Sequence, residues 1–492
     1  MSTPSVSFAP GTPDLGDFRL NQRQVRLMNR LVQNPEASLP DALRDGAEIE
    51  AGYRFLRNPK ISLSAVLEPH INDVAAMKTT GARLIVHDSS KIVHVTAQDA
   101  ADTYDLGTGR DGYIGHFSLV IQESDGEPLG LANLEIIARE KTDPATKASG
   151  AKVKKARRTA AQRARGPGPD DVVDPDVAES YRWARGALES AHRLGAETPL
   201  VHVMDSEGDS YFTYFALVSS NQDFVVRAAQ DRIVRTDKGP TRDMLSKQES
   251  NLPVLLQRTI ELSAREAKRA LPAGKRNRGV RSERETTVDI HGGVVYLQRP
   301  KTGPKDWPEE LKLSVVLVRE TSLVAGEEPV EWTLWTTLPV TTAAEAARVV
   351  DIYVRRWLIE EFFKALKTGC KFEERHFESG ATSQIALGLF IPIAIHLLRI
   401  RHFSRESPDR PAKDVLPPSY LAALRHLDRL LPTSPTVMQA LLGIARCGGH
   451  LKQNGDPGWQ VLWRGLQKVA NFAEGWEAAI QTRGRVRDGE LM

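Results

Sequence analysis

Three acidic residues in this sequence stand where carboxylates could take part in metal-dependent chemistry. Asp88 and Asp205 each follow an apolar run that is typical of a buried strand, and Glu360 lies in a segment with helical periodicity. Carboxylate oxygens are ligands for hard divalent cations such as Mg²⁺ or Mn²⁺. The alternative is structural, because an aspartate at the end of a strand commonly opens a turn. The metal hypothesis therefore requires that the elements carrying the three acids bring them together.

Glu360 belongs to a helix predicted from Ala344 to Lys367. With about 3.6 residues per turn, one stripe of this helix carries polar side chains, namely Tyr353, Arg356, Glu360, Lys364 and Lys367. The opposite side is apolar except for Arg355, and it consists of Val354, Leu358, Ile359, Phe362, Ala365 and Leu366. A carboxylate between basic residues suits a site that handles a metal ion and phosphates together. A solvated face with ion pairs four residues apart is the alternative.

The composition is that of an ordinary soluble globular protein. The chain has 492 residues, of which 41% are hydrophobic and 26% are charged, and this length is enough for about three or four domains. The net charge of +3 is small, so nucleic-acid binding would have to depend on local basic patches. The two cysteines, Cys370 and Cys447, predict neither a disulfide framework nor a thiolate zinc site, and a reducing cytoplasm fits.

No segment predicts secretion or membrane insertion. The N-terminal stretch lacks the basic region and apolar core that a signal peptide requires. The longest apolar run, Ile385 to Ile395, contains Pro392 and is too short to span a bilayer. We expect this run to form a buried helix of the core.

The N-terminal region is predicted to form short helices with basic faces. The first predicted helix, 17–32, carries four arginines on one face: Arg19, Arg23, Arg26 and Arg30. Two more follow at 39–44 and 48–57, with a turn at Asp45-Gly46 between them. This pattern suggests a helix-turn-helix-like DNA reader, whose candidate contacts are Tyr53, Arg54 and Arg57. Other small helical bundles share the pattern, and a solvated arginine face is equally compatible with it.

The middle of the chain predicts strands around the two aspartates. We expect one strand to end at Asp88, followed by a tight turn at Ser89-Ser90 and a second strand. Further strands are predicted at 113–122, 129–139, 200–204, 224–227, 286–298, 311–318 and 331–337. Further helices are predicted at 62–78, 177–194, 385–401, 419–431, 437–446 and around 467–482. The basic segment 139–165 either clamps DNA or is a solvated insertion, and a basic loop is predicted at 268–284.

The spacing Tyr353-x2-Arg356-x3-Glu360-x6-Lys367, with the flanking run IEEFFKALKTG, resembles the YREK motif of a known family. This is the family of bacterial cut-and-paste transposases of insertion-sequence family four, the group that contains the Tn-five transposase. AGYRFLRNPKIS resembles the segment of the family that binds the transposon end, LVHVMDSEGDSYF the segment with the second catalytic aspartate, and FVVR a further strand. The resemblance covers ordered segments within residues 16–400, but Ser206 stands where the family usually has arginine.

The resemblance implies an α/β fold that contains an RNase H-like catalytic core. The implied domains are an N-terminal helical DNA-binding domain (1–78), the core (79–245 and 339–378), a β-rich insertion (246–338) and a C-terminal helical dimerisation region (379–492). In such a core, acids on two strands and a helix converge at one end of the sheet. Asp88, Asp205 and Glu360 occur in that order.

The implied activity is that of a DDE transposase with two Mg²⁺ or Mn²⁺ ions per active site, held by Asp88, Asp205 and Glu360. Water attacks each transposon end, the freed 3′-OH forms a hairpin on the other strand, a second water opens it, and the 3′-OH attacks target DNA. The implied partners are double-stranded DNA, both transposon ends and target, and a second copy of the chain in a synaptic homodimer. No membrane is implied, and the expected location is the bacterial cytoplasm, at the nucleoid.

The resemblance also implies DNA contacts. Trp332 is expected to hold a flipped base, and Trp357 is expected to enter the vacated stack. The other expected DNA contacts are Tyr353, Arg356, Lys364, Lys367, Arg54 and Arg227. Two alternatives stay open, namely a non-catalytic DNA-binding relative that acts as an inhibitor and a metal-dependent endonuclease without strand transfer.

Overall fold

The structure is a computed structural model that describes most of the chain. The described residues are 11–33, 35–43, 45–93, 103–106, 111–137, 181–237, 239, 241–262, 264, 281–451, 453 and 457–487. The predicted basic segment 139–165 lies outside them, and so do residues 268–280 of the predicted basic loop 268–284. Helices and strands are both abundant in the described part, so the predicted mixed α/β class is confirmed.

Four helices open the described chain, and they confirm the helices predicted there. They are α1 Phe18–Gln33, α2 Leu39–Leu43, α3 Gly46–Leu56 and α4 Leu63–Ala76. Asp45 caps α3, because its side chain accepts a hydrogen bond from the Ala47 amide. The apolar face of α1 is buried through Leu27 and Leu31. The helix is therefore packed against the rest of the protein on that face.

The described strands form one mixed sheet of twelve strands. They are β1 Arg83–Val93, β2 Tyr104–Asp105, β3 Asp111–Gln122, β4 Pro128–Ile137, β5 Leu200–Met204, β6 Asp223–Arg227, β7 Ile233–Thr236, β8 Arg242–Met244, β9 Val254–Leu262, β10 Arg284–Gln298, β11 Glu310–Glu320 and β12 Glu331–Thr336. Their order is β2-β3-β1-β5-β6-β12-β11-β10-β7-β8, with β4 paired to β3 and β9 to β10. The strands of the predicted β-rich region thus extend the sheet that carries the aspartates, because β12 pairs with β6.

Strand β1 differs from its prediction. It runs without interruption through Asp88, Ser89 and Ser90, so the predicted tight turn at the two serines is wrong. The reason is the neighbouring strand: β3 pairs antiparallel with β1 along its whole length. Two adjacent serines resemble a turn in the sequence, but the hydrogen-bonded ladder to β3 outweighs that local preference.

Helices α5 Arg182–Leu194 and α6 Tyr211–Ser219 belong to the part of the chain that flanks β5. The described part of the predicted 177–194 helix begins with the cap at Tyr181. Trp183 from α5 and Tyr214 from α6 join Phe224 and Trp335 of the sheet in one buried cluster. A short helix, α7 Leu245–Gln248, lies further along the chain.

The predicted single helix over 344–367 is a series of helical segments. They are α8 Ala343–Val354, a 3-10 turn Arg355–Trp357, α9 Leu358–Lys364 and a π-helical turn Ala365–Gly369. Val354, predicted for the apolar side, is 53% exposed. A 3-10 turn has about 3.0 residues per turn instead of about 3.6. Side chains after this turn therefore point in directions that differ from those predicted for one uniform α-helix. The misfit Arg355 donates to the carbonyl of Gln122.

Four helices follow in the C-terminal part: α10 Gly380–Glu406, α11 Pro418–Leu427, α12 Val437–Cys447 and α13 Trp459–Arg487. Among the described helices, α10 is the one whose length and composition would allow it to cross a membrane, and 89% of its most apolar stretch is buried inside the protein. Core helices of large proteins have the same properties, so this is weak evidence for a membrane span. The prediction of a buried core helix there is confirmed.

Candidate active site

The pairing of β1 with β5 places the two predicted aspartates next to each other. The strands run parallel, with His87 opposite Met204. Asp88 and Asp205 are therefore the next residues after a pair of positions on two strands that lie about 4.8 Å apart. Asp88 lies inside β1, whereas Asp205 follows the end of β5, where its carboxylate accepts a hydrogen bond from the Glu207 amide at 2.8 Å.

Glu360 reaches the same place from the helical side, together with Arg356. The Arg356 guanidinium lies 2.7 Å from the Glu360 carboxylate and 3.7 Å from the Asp88 carboxylate. Arg356 precedes Glu360 by four residues in consecutive helical turns, so their side chains lie on the same side. One guanidinium therefore lies between two of the three predicted acids.

A cleft of ≈ 1290 Å³ surrounds this group. The predicted site residues that line it are Asp88, Asp205, Glu360, Arg227, Trp332, Tyr353, Arg356 and Trp357. Arg258 and Arg281, which the sequence analysis did not name as site residues, line it as well. Ser206, at the position where the resemblance implies arginine, is also in the lining. The structure thus brings acids, arginines and aromatic rings to one concave surface.

The two aspartates make one end of this cleft strongly acidic. The pKa of the Asp88 carboxyl is raised to about 7, first by burial and then by the negative charge of Asp205. The amide of Ser89 and the guanidinium of Arg356 act in the opposite direction. A cation in the cleft would therefore favour the ionised form of Asp88 and reduce its repulsion with Asp205.

Two aromatic residues form an apolar part of the cleft wall. Trp332 lies on β12 and Tyr353 near the end of α8, and their rings meet edge to face with centroids 5.4 Å apart. Burial raises the pKa of the Tyr353 hydroxyl, while the charges of Arg227 and Arg356 lower it. The wall thus combines a partly buried tryptophan ring, backed by a buried tyrosine, with positive charge.

Two lysines of the predicted stripe do not line the cleft. Lys364 pairs with Glu361 at 2.8 Å, and its ammonium lies 5.0 Å from the centre of the Trp357 ring. Lys367 pairs with Glu373 at 3.1 Å. The stripe is therefore divided: its first three members reach the cleft, and the two lysines lie beyond it.

Arg54 belongs to a separate groove on the N-terminal helices. Tyr53, Arg54 and Arg57 line this groove, together with Glu50, Asn58 and Pro59. Arg54 is exposed and pairs with Glu50 at 2.5 Å, while Arg57 donates through Nε to Glu378 at 2.8 Å. The candidate DNA contacts of the N-terminal region thus lie together, on the surface.

The arginine face predicted for α1 is partly committed to α3. Arg23 lies 2.9 Å and Arg26 2.7 Å from the carboxylate of Glu48. These contacts fix α1 against α3 and neutralise part of the charge of that face. A fully solvated arginine stripe is therefore not what the structure has there.

Behind the aspartates lies a group that the sequence analysis missed. Arg182, the first residue of α5, donates through Nε to Ser89 Oγ at 3.0 Å and through Nη2 to Glu207 at 2.9 Å. Its only sequence signal is a place at the start of the helix that precedes β5. Nothing local indicates which residues its side chain contacts.

Three buried histidines lie in the sheet on the same side. They come from three strands, His87 from β1, His116 from β3 and His202 from β5, and the Nε2 atom of His87 lies 3.0 Å from Nδ1 of His202. Burial lowers the pKa of His116 to about 3 and that of His202 to about 4, so both rings are neutral at pH 7. They meet only through the register of the sheet, which their positions in the sequence do not reveal.

No ready-made metal cage exists in the described residues. No group of three or more His, Cys, Asp or Glu side chains within the described ranges is close enough to hold a metal ion as it stands. The three predicted acids share the cleft, but Arg356 lies between Asp88 and Glu360. A metal ion shared by these acids would therefore take the place that the guanidinium has here.

Two segments of the chain match known protein families. Residues 11–61 match the family described as Transposase DNA-binding, and residues 175–393 match the family described as Transposase DDE domain. The first segment contains α1, α2 and α3. The second contains Asp205, Arg356 and Glu360, whereas Asp88 lies outside both. The two matches support a transposase with a DNA-binding region and a DDE domain.

Proposed function

We propose that this protein is a cut-and-paste DNA transposase similar to those of insertion-sequence family four, with Asp88, Asp205 and Glu360 as its catalytic acids. The observation that carries the proposal is the register of β1 and β5, which sets the aspartates side by side in the cleft that Glu360 also lines. We also propose that the surrounding sheet is an RNase H-like core. Its support is the order β4-β3-β1-β5-β6, antiparallel on one side of β1 and parallel on the other.

The residues of the cleft fit a divalent cation. The three acids offer only carboxylate oxygens, which Mg²⁺ and Mn²⁺ prefer. Burial, and next the negative charge of Asp205, raise the pKa of Asp88, and a bound cation would offset both effects. Two such ions, when bound, would activate the attacking oxygen and stabilise the leaving oxygen of an in-line displacement at phosphorus.

The arginines of the cleft suit the phosphates of a DNA strand. Arg227, Arg258 and Arg356 line the same surface as the acids, and a guanidinium binds phosphate oxygens through paired hydrogen bonds. In our proposal Arg356 exchanges its contacts with the acids for a contact with DNA phosphate. The guanidinium is then available on the strand that is cut, next to the carboxylates.

The aromatic residues suit an extruded base. The Trp332 ring, supported edge to face by Tyr353, offers a surface for base stacking, which contributes about 1–3 kcal/mol per base. Trp357 is 52% exposed and lies at the edge of the cleft, where it could enter the stack that the base leaves. Lys364 and Lys367, beyond the cleft, are proposed to hold phosphates around the flipped nucleotide.

The full proposal is excision through a hairpin, followed by strand transfer into target DNA. One set of acids can serve all of these steps, because each is an in-line displacement at phosphorus. The N-terminal helices, with Arg54, are proposed to bind the transposon end. The C-terminal helices are proposed to pair two copies of the chain in the synaptic complex, in the cytoplasm of a bacterium.

Cleavage of a labelled duplex that carries the inverted repeat flanking the coding region tests this proposal. Asp205→Asn and Glu360→Gln remove a carboxylate charge with little change in shape, so we expect Mg²⁺-dependent cleavage to fall by about 10³-fold or more. Glu189→Gln is the control, because the half-exposed Glu189 side chain on α5 pairs with Arg193 at 2.6 Å within its own helix. This control should cleave at the rate of the unaltered chain.

The products of the same experiment separate the alternatives. Nicks followed by hairpins in the unaltered chain would support the proposed pathway. Binding of the repeat without cleavage would favour the inhibitor, and general degradation without hairpins would favour the endonuclease. Cleavage that persists in both carboxylate variants would show that the acids are assigned wrongly.

A further inference from the structure

The carboxylates of Asp88 and Asp205 are each fixed by a backbone amide that follows them in the chain. Asp88 Oδ1 accepts a hydrogen bond from the Ser89 amide at 2.7 Å. Asp205 Oδ1 accepts one from the Glu207 amide at 2.8 Å. The orientation of both carboxylates therefore depends on where the backbone of these two donor residues lies.

The side chains of the same two donor residues are joined by Arg182. Its Nε donates to Ser89 Oγ at 3.0 Å, and its Nη2 donates to Glu207 Oε2 at 2.9 Å. The two aspartates are thus linked through four hydrogen bonds, the covalent frameworks of Ser89 and Glu207, and a single guanidinium. The planar fork of arginine suits this task, because its donors have fixed relative directions, unlike those of lysine.

We propose that Arg182 is a positioning residue that sets the spacing of the two aspartates for a divalent cation, an inference that rests on the proposed function. Arg182 contacts neither carboxylate through any described hydrogen bond; it acts through Ser89 and Glu207. Groups that hydrogen-bond to metal ligands orient them, and their loss typically weakens metal binding by about 10–100-fold. Here those groups are the amides of Ser89 and Glu207, whose position Arg182 sets in our proposal.

An ordinary stabilising ion pair would behave differently. The Arg182 side chain is 14% exposed, but its partner Glu207 is 64% exposed and solvated, and ion pairs with solvated groups contribute about 0–1 kcal/mol to stability. Loss of the pair should therefore change the free energy of unfolding little. A positioning role instead predicts that metal binding changes much more than stability does.

The direction of the change in metal affinity distinguishes position from charge. Removing a positive charge near two carboxylates would strengthen the binding of a divalent cation if Arg182 acted through its charge alone. If Arg182 sets the spacing of the carboxylates, its removal weakens the binding instead. The two explanations thus predict opposite changes in the affinity for a divalent cation when Arg182 is removed.

The test is a titration of the full chain with Mn²⁺, without DNA, in which free Mn²⁺ is measured by electron paramagnetic resonance. We expect Arg182→Met to bind Mn²⁺ at least about tenfold more weakly than the unaltered chain. Arg182→Lys keeps the charge but lacks the fork, and it should also bind more weakly. The control is Arg185→Met on the same helix, which removes a pair with Glu135 and should bind Mn²⁺ normally.

Ser89→Ala gives a second test that changes no charge. It keeps the backbone amide but removes the hydroxyl that Arg182 contacts, so we expect weaker Mn²⁺ binding. The double variant with Arg182→Met should bind no more weakly than Arg182→Met alone, because both changes break the same path. If Arg182→Met does not fold, Arg182→Lys and Ser89→Ala decide the question.

The outcomes separate this inference from the proposed function. If the unaltered chain binds Mn²⁺ and Asp205→Asn abolishes that binding, but the Arg182 variants bind as tightly or more tightly, the positioning role is overturned and the proposed function stands. If the unaltered chain neither binds Mn²⁺ nor cleaves the repeat duplex, the proposed function fails, and the positioning role fails with it.

Discussion

The two sides of the aspartate pair are held in different ways. On the cleft side the Arg356 guanidinium contacts two of the three acids directly, at 2.7 and 3.7 Å. On the far side the Arg182 guanidinium contacts Ser89 and Glu207, whose backbone amides bind the aspartates. The contact on the cleft side is made to the acids themselves, so a cation or a phosphate can replace it. On the far side the aspartates are bound by the backbone amides of Ser89 and Glu207, and Arg182 reaches them through these two residues. We therefore expect the cleft side to change when a ligand binds and the far side to keep its arrangement.

The largest effect that we expect on stability comes from Asp88→Asn. The pKa of this carboxyl is about 7 in the folded protein, against 3.8 for an unperturbed aspartate. Folding therefore favours the protonated carboxyl. The contribution of this group to the free energy of unfolding is fully present below pH 3.8 and is lost as the pH rises through 7. This difference in pKa corresponds to at most about 4 kcal/mol in the free energy of unfolding. In metal-free buffer Asp88→Asn should therefore be more stable than the unaltered chain at pH 8, by about 2–4 kcal/mol.

Urea unfolding of both chains at pH 4, 6 and 8 measures this difference. The two curves should nearly coincide at pH 4, where the carboxyl is protonated in the folded chain. If the difference is the same at every pH, the acidic character of the cleft side is weaker than we infer. In that case electrostatics would not distinguish the cleft side of the aspartate pair from the far side.

Arg356→Met tests whether the arginines on the two sides of the aspartate pair affect Mn²⁺ affinity in opposite directions. Loss of the guanidinium should lower cleavage about 10²-fold, as the loss of one charge-stabilising donor does elsewhere. It should also strengthen Mn²⁺ binding about fivefold, because the guanidinium repels the cation by about 1 kcal/mol and this repulsion is removed. This change is opposite in sign to the one expected for Arg182→Met.

The matched control is Arg348→Met on α8, which removes a pair with Glu123 at 2.6 Å, away from the acids. Its Mn²⁺ affinity and its cleavage rate should equal those of the unaltered chain. If Arg356→Met weakens Mn²⁺ binding, then Arg356 supports the acids in the same manner as Arg182. The two sides of the aspartate pair would then be alike.

The smallest expected effect comes from Ser118→Ala on the far side. Ser118 Oγ lies 3.0 Å from Nδ1 of the buried His87, so its removal leaves a buried ring nitrogen without that partner. The expected loss is about 1–2 kcal/mol in the free energy of unfolding, with Mn²⁺ affinity unchanged. Ser190→Ala is the control, because Ser190 donates only within its own helix, to the Gly186 carbonyl, and should cost less.

Mn²⁺ titration and urea unfolding of the Ser118 and Ser190 variants check this prediction. If Ser118→Ala also weakens Mn²⁺ binding about tenfold, positioning is a property of the whole buried network. The specific role of Arg182 would then no longer be distinct.

Much of the secondary structure could be predicted from local patterns. The N-terminal helices, the strands around Asp205 and the helical C-terminal part lie close to their predicted ranges, because hydrophobic periodicity and capping residues act over a few positions. The turn at Ser89-Ser90 was predicted wrongly for the same reason: a local signal was taken without the strand that pairs there. The predicted uniform helix over 344–367 also missed the 3-10 turn Arg355–Trp357, and Val354, just before this turn, is exposed instead of buried.

The sequence by itself determined the chemistry available to this protein: acids at Asp88, Asp205 and Glu360, a basic and aromatic stripe beside the last of them, and the order of helices and strands. Residue type and short-range periodicity carry that information. Only the tertiary structure decided that the aspartates are neighbours, that Arg356 lies between two acids, and that Arg182 joins the residues that follow the aspartates. These features depend on strand register and on contacts such as that between Arg182 and Ser89, 93 positions apart. Pairings at that range arise from packing of the whole sheet, which no local pattern specifies.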